Sequence, residues 1–138
     1  MTEIQKITNL LTRTKVIAIV GLSPQPDRPS HPVAKFLLAR GYDIIPVNPA
    51  CAEILGRPCY PNLAAVPRAV DMVNVFRKSE DVLPIAQDAI RIGAKSLWLQ
   101  LGIINPQAML LAEAAGLIAV ENLCIQIEYM QRFGFQSD

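Results

Sequence analysis

The sequence lacks several features that define specialised classes of protein. It has three scattered cysteines and one histidine in 138 residues, which form neither a disulfide framework nor a recognised metal-ligand spacing. Thirteen basic against twelve acidic residues give a net charge of +1, so no basic surface for nucleic acid is expected. The longest apolar runs, residues 16–22 and 114–120, are far shorter than the roughly 20 residues of a membrane span. No signal pattern begins at Met1, and a cytoplasmic protein without metal, membrane or nucleic-acid partner is predicted.

What the sequence does contain is a regular alternation of strand and helix patterns. Apolar residues make up 51% and charged residues 18%, which excludes a disordered chain and fits a single domain over residues 1–138. Residues 2–13 predict an amphipathic helix packed on that domain, because Thr2 and Gln5 have capping-box spacing. Predicted strands cover residues 15–21, 42–47, 71–76, 95–99 and 117–120. Predicted helices cover residues 30–40, 79 or 84 to 93, 106–116 and 122–133, with Asn105 as the cap of the third.

This alternation predicts an α/β fold, a three-layer, Rossmann-like, doubly wound parallel sheet of five strands. In such sheets the ligand lies outside the carboxyl ends of the strands. The residues that directly follow each predicted strand are therefore the candidates for function.

The turn after the first strand, residues 21–31, predicts an anion site. Gly21 permits a tight turn, Ser23 can donate a hydrogen bond, and Ser30 suits the N-cap of the next helix. The N-terminus of that helix would offer free N–H groups, and Arg28 would add a positive charge suited to phosphate. The alternative is a proline-rich turn that binds no ligand.

The same turn is not a dinucleotide fingerprint. Ser23 and Pro26 stand where that motif has its second and third glycines, and Asn48 follows the second strand where an NAD site has an acidic residue. No Walker loop is present either. NAD is therefore not expected as a cofactor.

Several short segments, taken in order, resemble the family of small stand-alone CoA-binding proteins. That family is similar to the N-terminal domain of the succinyl-CoA synthetase alpha subunit. The segments are IVGLSP and DRPSH at 19–24 and 27–31, IPVNP at 45–49, LG and CYP at 55–56 and 59–61, VFR at 75–77, and WLQLG at 98–102.

The resemblance implies a Rossmann-like domain with strand order 3-2-1-4-5 that binds CoA or an acyl-CoA. It implies that residues 23–26 face the CoA phosphates and that residues 48–49 and 100–102 contact the nucleotide and the pantetheine arm. Together with the anion-site interpretation, it makes the candidate cofactor-binding residues Gly21, Ser23, Pro24, Gln25, Pro26, Arg28, Ser30, His31, Asn48, Pro49, Arg77, Gln100, Leu101, Gly102, Asn122 and Cys124.

The sequence departs from the family pattern in two places. Residues 50–51 are Ala and Cys, where the family often has a basic residue after Asn-Pro. Residues 122–125 read NLCI and residues 128–129 read EY, where the family tends to have Asp-Arg-Cys-Ile and a Glu-His pair. Chemistry that depends on that arginine or histidine does not carry over, and no catalytic residue is assigned.

Two residues invite a catalytic interpretation. His31 is the only histidine, and it is interpreted as a ligand contact or helix cap, with a catalytic or a purely structural role as alternatives. Cys124 is expected in the first turn of the last helix, on the ligand side. There it would either form a mixed disulfide with CoA or serve as a small buried apolar residue.

The sequence thus predicts a CoA-binding or acyl-CoA-binding protein without catalysis of its own. One alternative is a subunit of an acyl-CoA-using enzyme whose partner chain supplies the missing groups. Another is a regulatory module that binds a different nucleotide. A homodimer is also predicted, because the chain is apolar and its first and last helices could pair.

Overall fold

The computed structural model describes residues 1–134, and within them helices alternate with strands. The α-helices are α1 (Glu3–Arg13), α2 (Ser30–Ala39), α3 (Val82–Arg91), α4 (Pro106–Ala114) and α5 (Ile125–Phe133). The strands are β1 (Val16–Val20), β2 (Asp43–Val47), β3 (Glu53–Ile54), β4 (Arg57–Pro58), β5 (Met72–Val75), β6 (Ser96–Leu99) and β7 (Ile118–Val120). No helix in this part of the chain is long and apolar enough to cross a membrane.

The main sheet is parallel and runs in the order β2-β1-β5-β6-β7. Helices cover both of its faces, which confirms the predicted three-layer Rossmann-like fold. A single parallel bridge joins Val47 to Tyr60 on the outer side of β2. Of the five predicted strands the order is therefore 2-1-3-4-5, and the bridge at Tyr60 occupies the place that the expected order 3-2-1-4-5 gives to its third strand.

The numbering of the strands is what needs correction. We predicted residues 71–76 as the third strand, but β5 pairs with β1 and occupies the fourth position. Between β2 and β5 the chain forms a small antiparallel hairpin, β3 and β4, and the 3-10 helix Leu63–Ala65. The hairpin strands have two residues each, too few to produce a periodic apolar pattern in the sequence.

Each face of the sheet has its own apolar core. On one face α1, α2 and α5 pack over Ile17, Ile19 and Trp98, all fully buried. On the other face α3 and α4 pack over Val73 and Leu97. Trp98 lies in the core, and its Nε1–H donates to the carbonyl of Leu123 at 2.8 Å.

The ends of the helices agree with the sequence at some positions and differ at others. The Thr2–Gln5 capping box and the Asn105 cap both form as predicted. Ser30 was predicted as an N-cap, but Pro29 occupies that position without a side-chain capping bond. The last helix was predicted from residue 122, yet α5 begins at Ile125 and Cys124 is its N-cap.

Gly21, directly after β1, holds three strands together at the carboxyl edge. Its N–H donates to the carbonyl of Val47 at 2.9 Å, and its φ is +89°. A Cβ placed on it would lie 2.5 Å from the carbonyl oxygen of Phe76. Only a residue without a side chain fits there, so close packing between strands accounts for this glycine.

We predict that Gly21→Ala destabilises the fold through this clash. Gly116, with a φ of +92°, is the matched control because an added Cβ meets nothing within 4 Å. Gly116→Ala should lower the free energy of unfolding only through backbone strain at this φ, on the order of 1–3 kcal/mol. In Gly21→Ala, overpacking should lower the free energy of unfolding by about 1–3 kcal/mol more, and urea unfolding measures this difference. Equal losses for the two variants would contradict the close approach.

Asp43 anchors the hairpin to the main sheet. Its Oδ1 accepts a hydrogen bond from Arg57 Nη1 at 2.7 Å, and its Oδ2 pairs with Arg68. The hydrogen bond from Arg68 is the main cause that lowers the pKa of Asp43, while partial burial opposes the shift. The ionised carboxylate therefore stabilises the fold above its unfolded pKa, and this contribution is lost as the pH falls through the folded value.

Asp43→Asn should therefore cost about 1 kcal/mol at neutral pH, a small value because the carboxylate is about a third exposed. The difference from the wild type should shrink as the pH is lowered below about 4. Chemical unfolding at several pH values measures it. Asp88→Asn, which breaks a single exposed pair with Arg91, is the control and should cost only a few tenths of a kcal/mol. A pH-independent loss in Asp43→Asn would refute the assignment.

Candidate functional site

A cavity of about 600 Å³ opens at the carboxyl edge of the sheet, between the first turns of α2 and α5. This volume is within the range of small-molecule sites. Its lining residues are Gly21, Ser23, Gln25, Arg28, Pro29, Ser30, Val33, Phe76, Arg77, Gln100, Leu101, Ile103, Cys124 and Ile127. A second cavity of about 600 Å³ lies at the other end of the strands, beside Lys6, Arg13 and Lys95. Ligands of open parallel sheets bind at the carboxyl ends, which selects the first cavity.

A network of hydrogen bonds gives the first turn its shape. The Ser23 N–H donates to Ser30 Oγ at 2.9 Å, and the Gln25 N–H donates to Ser23 Oγ at 3.1 Å. His31 Nδ1 lies 3.0 Å from the carbonyl oxygen of Ser23. Because a carbonyl only accepts, Nδ1 carries the proton. Ser30 is almost fully buried, so its hydroxyl shapes the turn from within, at the base of the cavity.

The positive charge of the cavity comes from two arginines. Arg28 is exposed, and its Nε–H donates to Gln25 Oε1 at 3.4 Å. Arg77 Nη2 lies 3.5 Å from Asp81 Oδ2, in a pair that is nearly half exposed. Exposed pairs of this kind contribute little, so Arg77 can exchange its partner for a phosphate. The N-terminus of α2 lies in the same wall and adds the positive end of a helix dipole.

Gln100 connects the sheet to the start of α5. Its Oε1 accepts hydrogen bonds from Asn74 Nδ2 and from the N–H of Ile125, each at 3.1 Å. Its Nε2 makes no hydrogen bond within residues 1–134 and remains available to a ligand. Cys124, half-buried, lines the cavity beside this junction. It also packs, partly buried, against the core of the α1, α2 and α5 face, so the mixed disulfide with CoA and the small buried apolar residue both stay predictions.

The structure brings many of the predicted site residues together. Those that line the cavity are Gly21, Ser23, Gln25, Arg28, Ser30, Arg77, Gln100, Leu101 and Cys124. Those outside the lining are Pro24, Pro26, His31, Asn48, Pro49, Gly102 and Asn122, and ligand contact stays a prediction for them.

Two of the residues outside the lining have visible structural roles. Asn48 Nδ2 donates to the carbonyl of Leu22 at 2.9 Å, which ties the end of β2 to the first turn. Asn122 Oδ1 accepts the N–H of Gly102 at 2.8 Å and joins the turns after β6 and β7. Both amides fix the backbone that surrounds the cavity.

Apart from Leu101, most of the apolar lining could not be predicted from the sequence pattern. These residues are Pro29, Val33, Phe76, Ile103 and Ile127. An aliphatic or aromatic side chain at an apolar position is interpreted as core unless the fold shows an opening beside it. One feature of the sequence could have identified Ile127 as a lining residue. It lies three positions after Cys124, at the start of a helix, and residues at this spacing share a helix face.

The fold and the cavity define a Rossmann-like domain with a ligand site at the carboxyl edge of its sheet. The sequence matches the CoA binding domain family over residues 15–130, and the chain belongs to that family. The resemblance found from the short segments is confirmed.

Individual relatives agree with this assignment. The uncharacterized protein YneT of Bacillus subtilis is 39% identical over 124 residues, which cover 90% of this chain and 92% of YneT. A hypothetical protein from Pyrococcus horikoshii OT3 superposes with a TM-score of 0.91 at 41% identity, covering 94% of this chain and 92% of that one. The ADP-forming acetate–CoA ligase I of Archaeoglobus fulgidus is 40% identical over 58 residues, 42% of this chain but only 8% of the ligase.

The shape of the first turn is expected to depend on Ser30. Ser30→Ala removes the buried acceptor of the Ser23 N–H and should cost about 1–2 kcal/mol. The Ser23 amide should also exchange its hydrogen faster. Ser23→Ala, which removes only the exposed acceptor of the Gln25 N–H, is the control and should cost less. Equal losses and unchanged exchange at Ser23 would show that Ser30 does not shape the turn.

Proposed function

We propose that this protein binds CoA or an acyl-CoA in the carboxyl-edge cavity and catalyses no reaction by itself. Membership of the CoA binding domain family supports CoA as the ligand. The observation that carries the proposal is the composition of the cavity, in which Arg28 and Arg77 share one space with aliphatic side chains. CoA has the same division, with phosphates at one end and a long, mostly uncharged arm at the other.

The contacts follow from this division. Arg28 and the N-terminus of α2 would bind phosphate oxygens, with Arg77 on the neighbouring strand end. The pantetheine arm carries amide carbonyls, and Gln100 Nε2 is a donor without a partner in the described chain. Cys124 then lies where the thiol end of the arm would arrive.

The same lining argues against catalysis by this chain alone. Within residues 1–134, the side chains that line the cavity include no histidine, aspartate or glutamate to act as a general base. The imidazole of His31 holds the carbonyl of Ser23 and is not part of the lining. The enzyme-subunit alternative would therefore need another chain to bring its catalytic groups to the cavity. The alternative of another nucleotide would require a ligand whose uncharged part fits the aliphatic end.

A homodimer and a cytoplasmic location stay predictions. The two helices expected to pair, α1 and α5, contact each other within one chain, where Arg132 Nε donates to Thr8 Oγ1 at 3.0 Å. Pairing between two copies would have to use their outer faces, such as the exposed Ile4 on α1.

The first experiment is calorimetric titration of the reduced protein with CoA, with NAD and ADP as parallel ligands. We expect CoA to bind with a micromolar or tighter dissociation constant, equivalent to about −8 kcal/mol, and NAD and ADP to bind more weakly. ADP or NAD binding as tightly as CoA would favour the regulatory alternative. A folded protein that binds no CoA would overturn the proposal.

Arg28→Ala tests where the phosphates bind. Loss of one charge-assisted contact should weaken CoA binding about ten-fold and reduce its dependence on salt concentration. Arg91→Ala, an exposed arginine on α3 outside the cavity lining, is the control and should leave the affinity unchanged. Equal affinities of the two variants would mean that the phosphates lie elsewhere.

A further inference from the structure

The cavity has an end that carries the arginines and an end with exposed aliphatic side chains, and Pro29, Val33 and Phe76 add apolar surface beside the arginines. The ends of β1, β5 and β6 lie side by side at the carboxyl edge, with about 4.8 Å between neighbouring strands. Arg28 follows β1 and Arg77 follows β5, whereas Leu101 and Ile103 follow β6. The two arginines therefore follow β1 and β5, and Leu101 and Ile103 follow β6, which lies about 5 Å from β5 and about 10 Å from β1.

The aliphatic end is open to solvent. Leu101 is 63% exposed and Ile127 is 43% exposed, and both face the cavity together with the half-buried Ile103. Clustered exposed apolar side chains mark a binding surface, because covering them releases about 25 cal/mol per Å². Among the described residues that line the cavity, the charged ones are Arg28 and Arg77, so the aliphatic end has no charged side chain of its own, and its polar groups are Gln100 Nε2 and the N-terminus of α5.

These two ends fix the direction in which CoA would lie. Its phosphates would bind beside Arg28 and Arg77, and its arm would extend towards β6 and the first turn of α5. The thioester end would then lie against Leu101, Ile103 and Ile127. A carboxylate on the acyl group would lose water there without gaining a charged partner, whereas an aliphatic chain would cover exposed apolar surface.

We propose that the ligand is an acyl-CoA with an uncharged aliphatic acyl chain, longer than acetyl, rather than free CoA or a dicarboxylic acyl-CoA. This inference rests on the proposed function, because it assigns the acyl group at the same site. Leu101, Ile103 and Ile127 are the residues that determine the specificity.

Calorimetry of the wild-type protein with a series of CoA ligands tests the proposal. Affinity should rise about ten-fold or more from acetyl-CoA to hexanoyl-CoA, since a fully buried methylene contributes a factor of about four. Butyryl-CoA and succinyl-CoA have acyl chains of equal carbon number and differ in the terminal carboxylate. Succinyl-CoA should bind at least about ten-fold more weakly than butyryl-CoA.

Ile127→Asn tests the assigned wall. It should remove most of the preference for hexanoyl-CoA over CoA, measured as the ratio of the two affinities in the same variant. Ile4→Asn is the matched control, because Ile4 is an exposed isoleucine on α1 and not part of the cavity lining. It should leave both affinities unchanged.

The possible outcomes separate this inference from the proposed function. If CoA and all acyl-CoAs bind equally, or if succinyl-CoA equals butyryl-CoA, the acyl specificity is refuted while CoA binding stands. If Ile127→Asn keeps the full preference for hexanoyl-CoA, the assigned wall is wrong. If neither CoA nor any acyl-CoA binds to the folded protein, the proposed function falls together with this inference.

Discussion

The close approach of Gly21 to the carbonyl of Phe76 is the constraint on which the carboxyl edge of the sheet depends. The same residue donates its N–H to Val47, so one glycine aligns the ends of β2, β1 and β5. A side chain at this position would push β1 away from β5, where the floor of the cavity forms. Residues of the first turn can reach across to Arg77 only because these strand ends stay in contact.

The polar side chains around the cavity mostly support the backbone. Ser30 holds the first turn, Asn48 ties β2 to it, Asn122 joins the last two turns, and Gln100 holds the start of α5. Because their atoms are already paired, recognition is left to a smaller set of groups. That set consists of the arginines, the free amide nitrogen of Gln100 and the exposed aliphatic side chains. A site of this composition is suited to a ligand with an anionic head and a long uncharged tail.

Much of the fold was predictable because it depends on local signals. Continuous β-branched runs such as residues 16–20 mark strands buried on both faces, and Asn105 with Pro106 marks a helix start through side-chain chemistry within four residues. The hairpin strands were not predicted because two residues are too few to show the alternation of apolar and polar positions that marks a strand. Ser30 was wrongly predicted to be a helix cap. Its hydroxyl instead accepts a hydrogen bond from the N–H of Ser23, seven residues earlier, and a contact over that separation produces no local sequence pattern.

The sequence by itself determined the class of fold, the family and the edge of the sheet where a ligand is expected, since the alternation of strands and helices and the turn residues follow from local pattern and short motifs. The tertiary structure decided which side chains face the cavity. Asn48 and Gln100 are both polar residues after a strand. The amide of Asn48 hydrogen-bonds to the backbone of the first turn, whereas Gln100 lines the cavity. Ile127 is an apolar residue in an amphipathic helix, and only the packing of α5 beside the first turn places it in the cavity wall. Orientation depends on contacts between distant segments, which residue type and spacing do not specify.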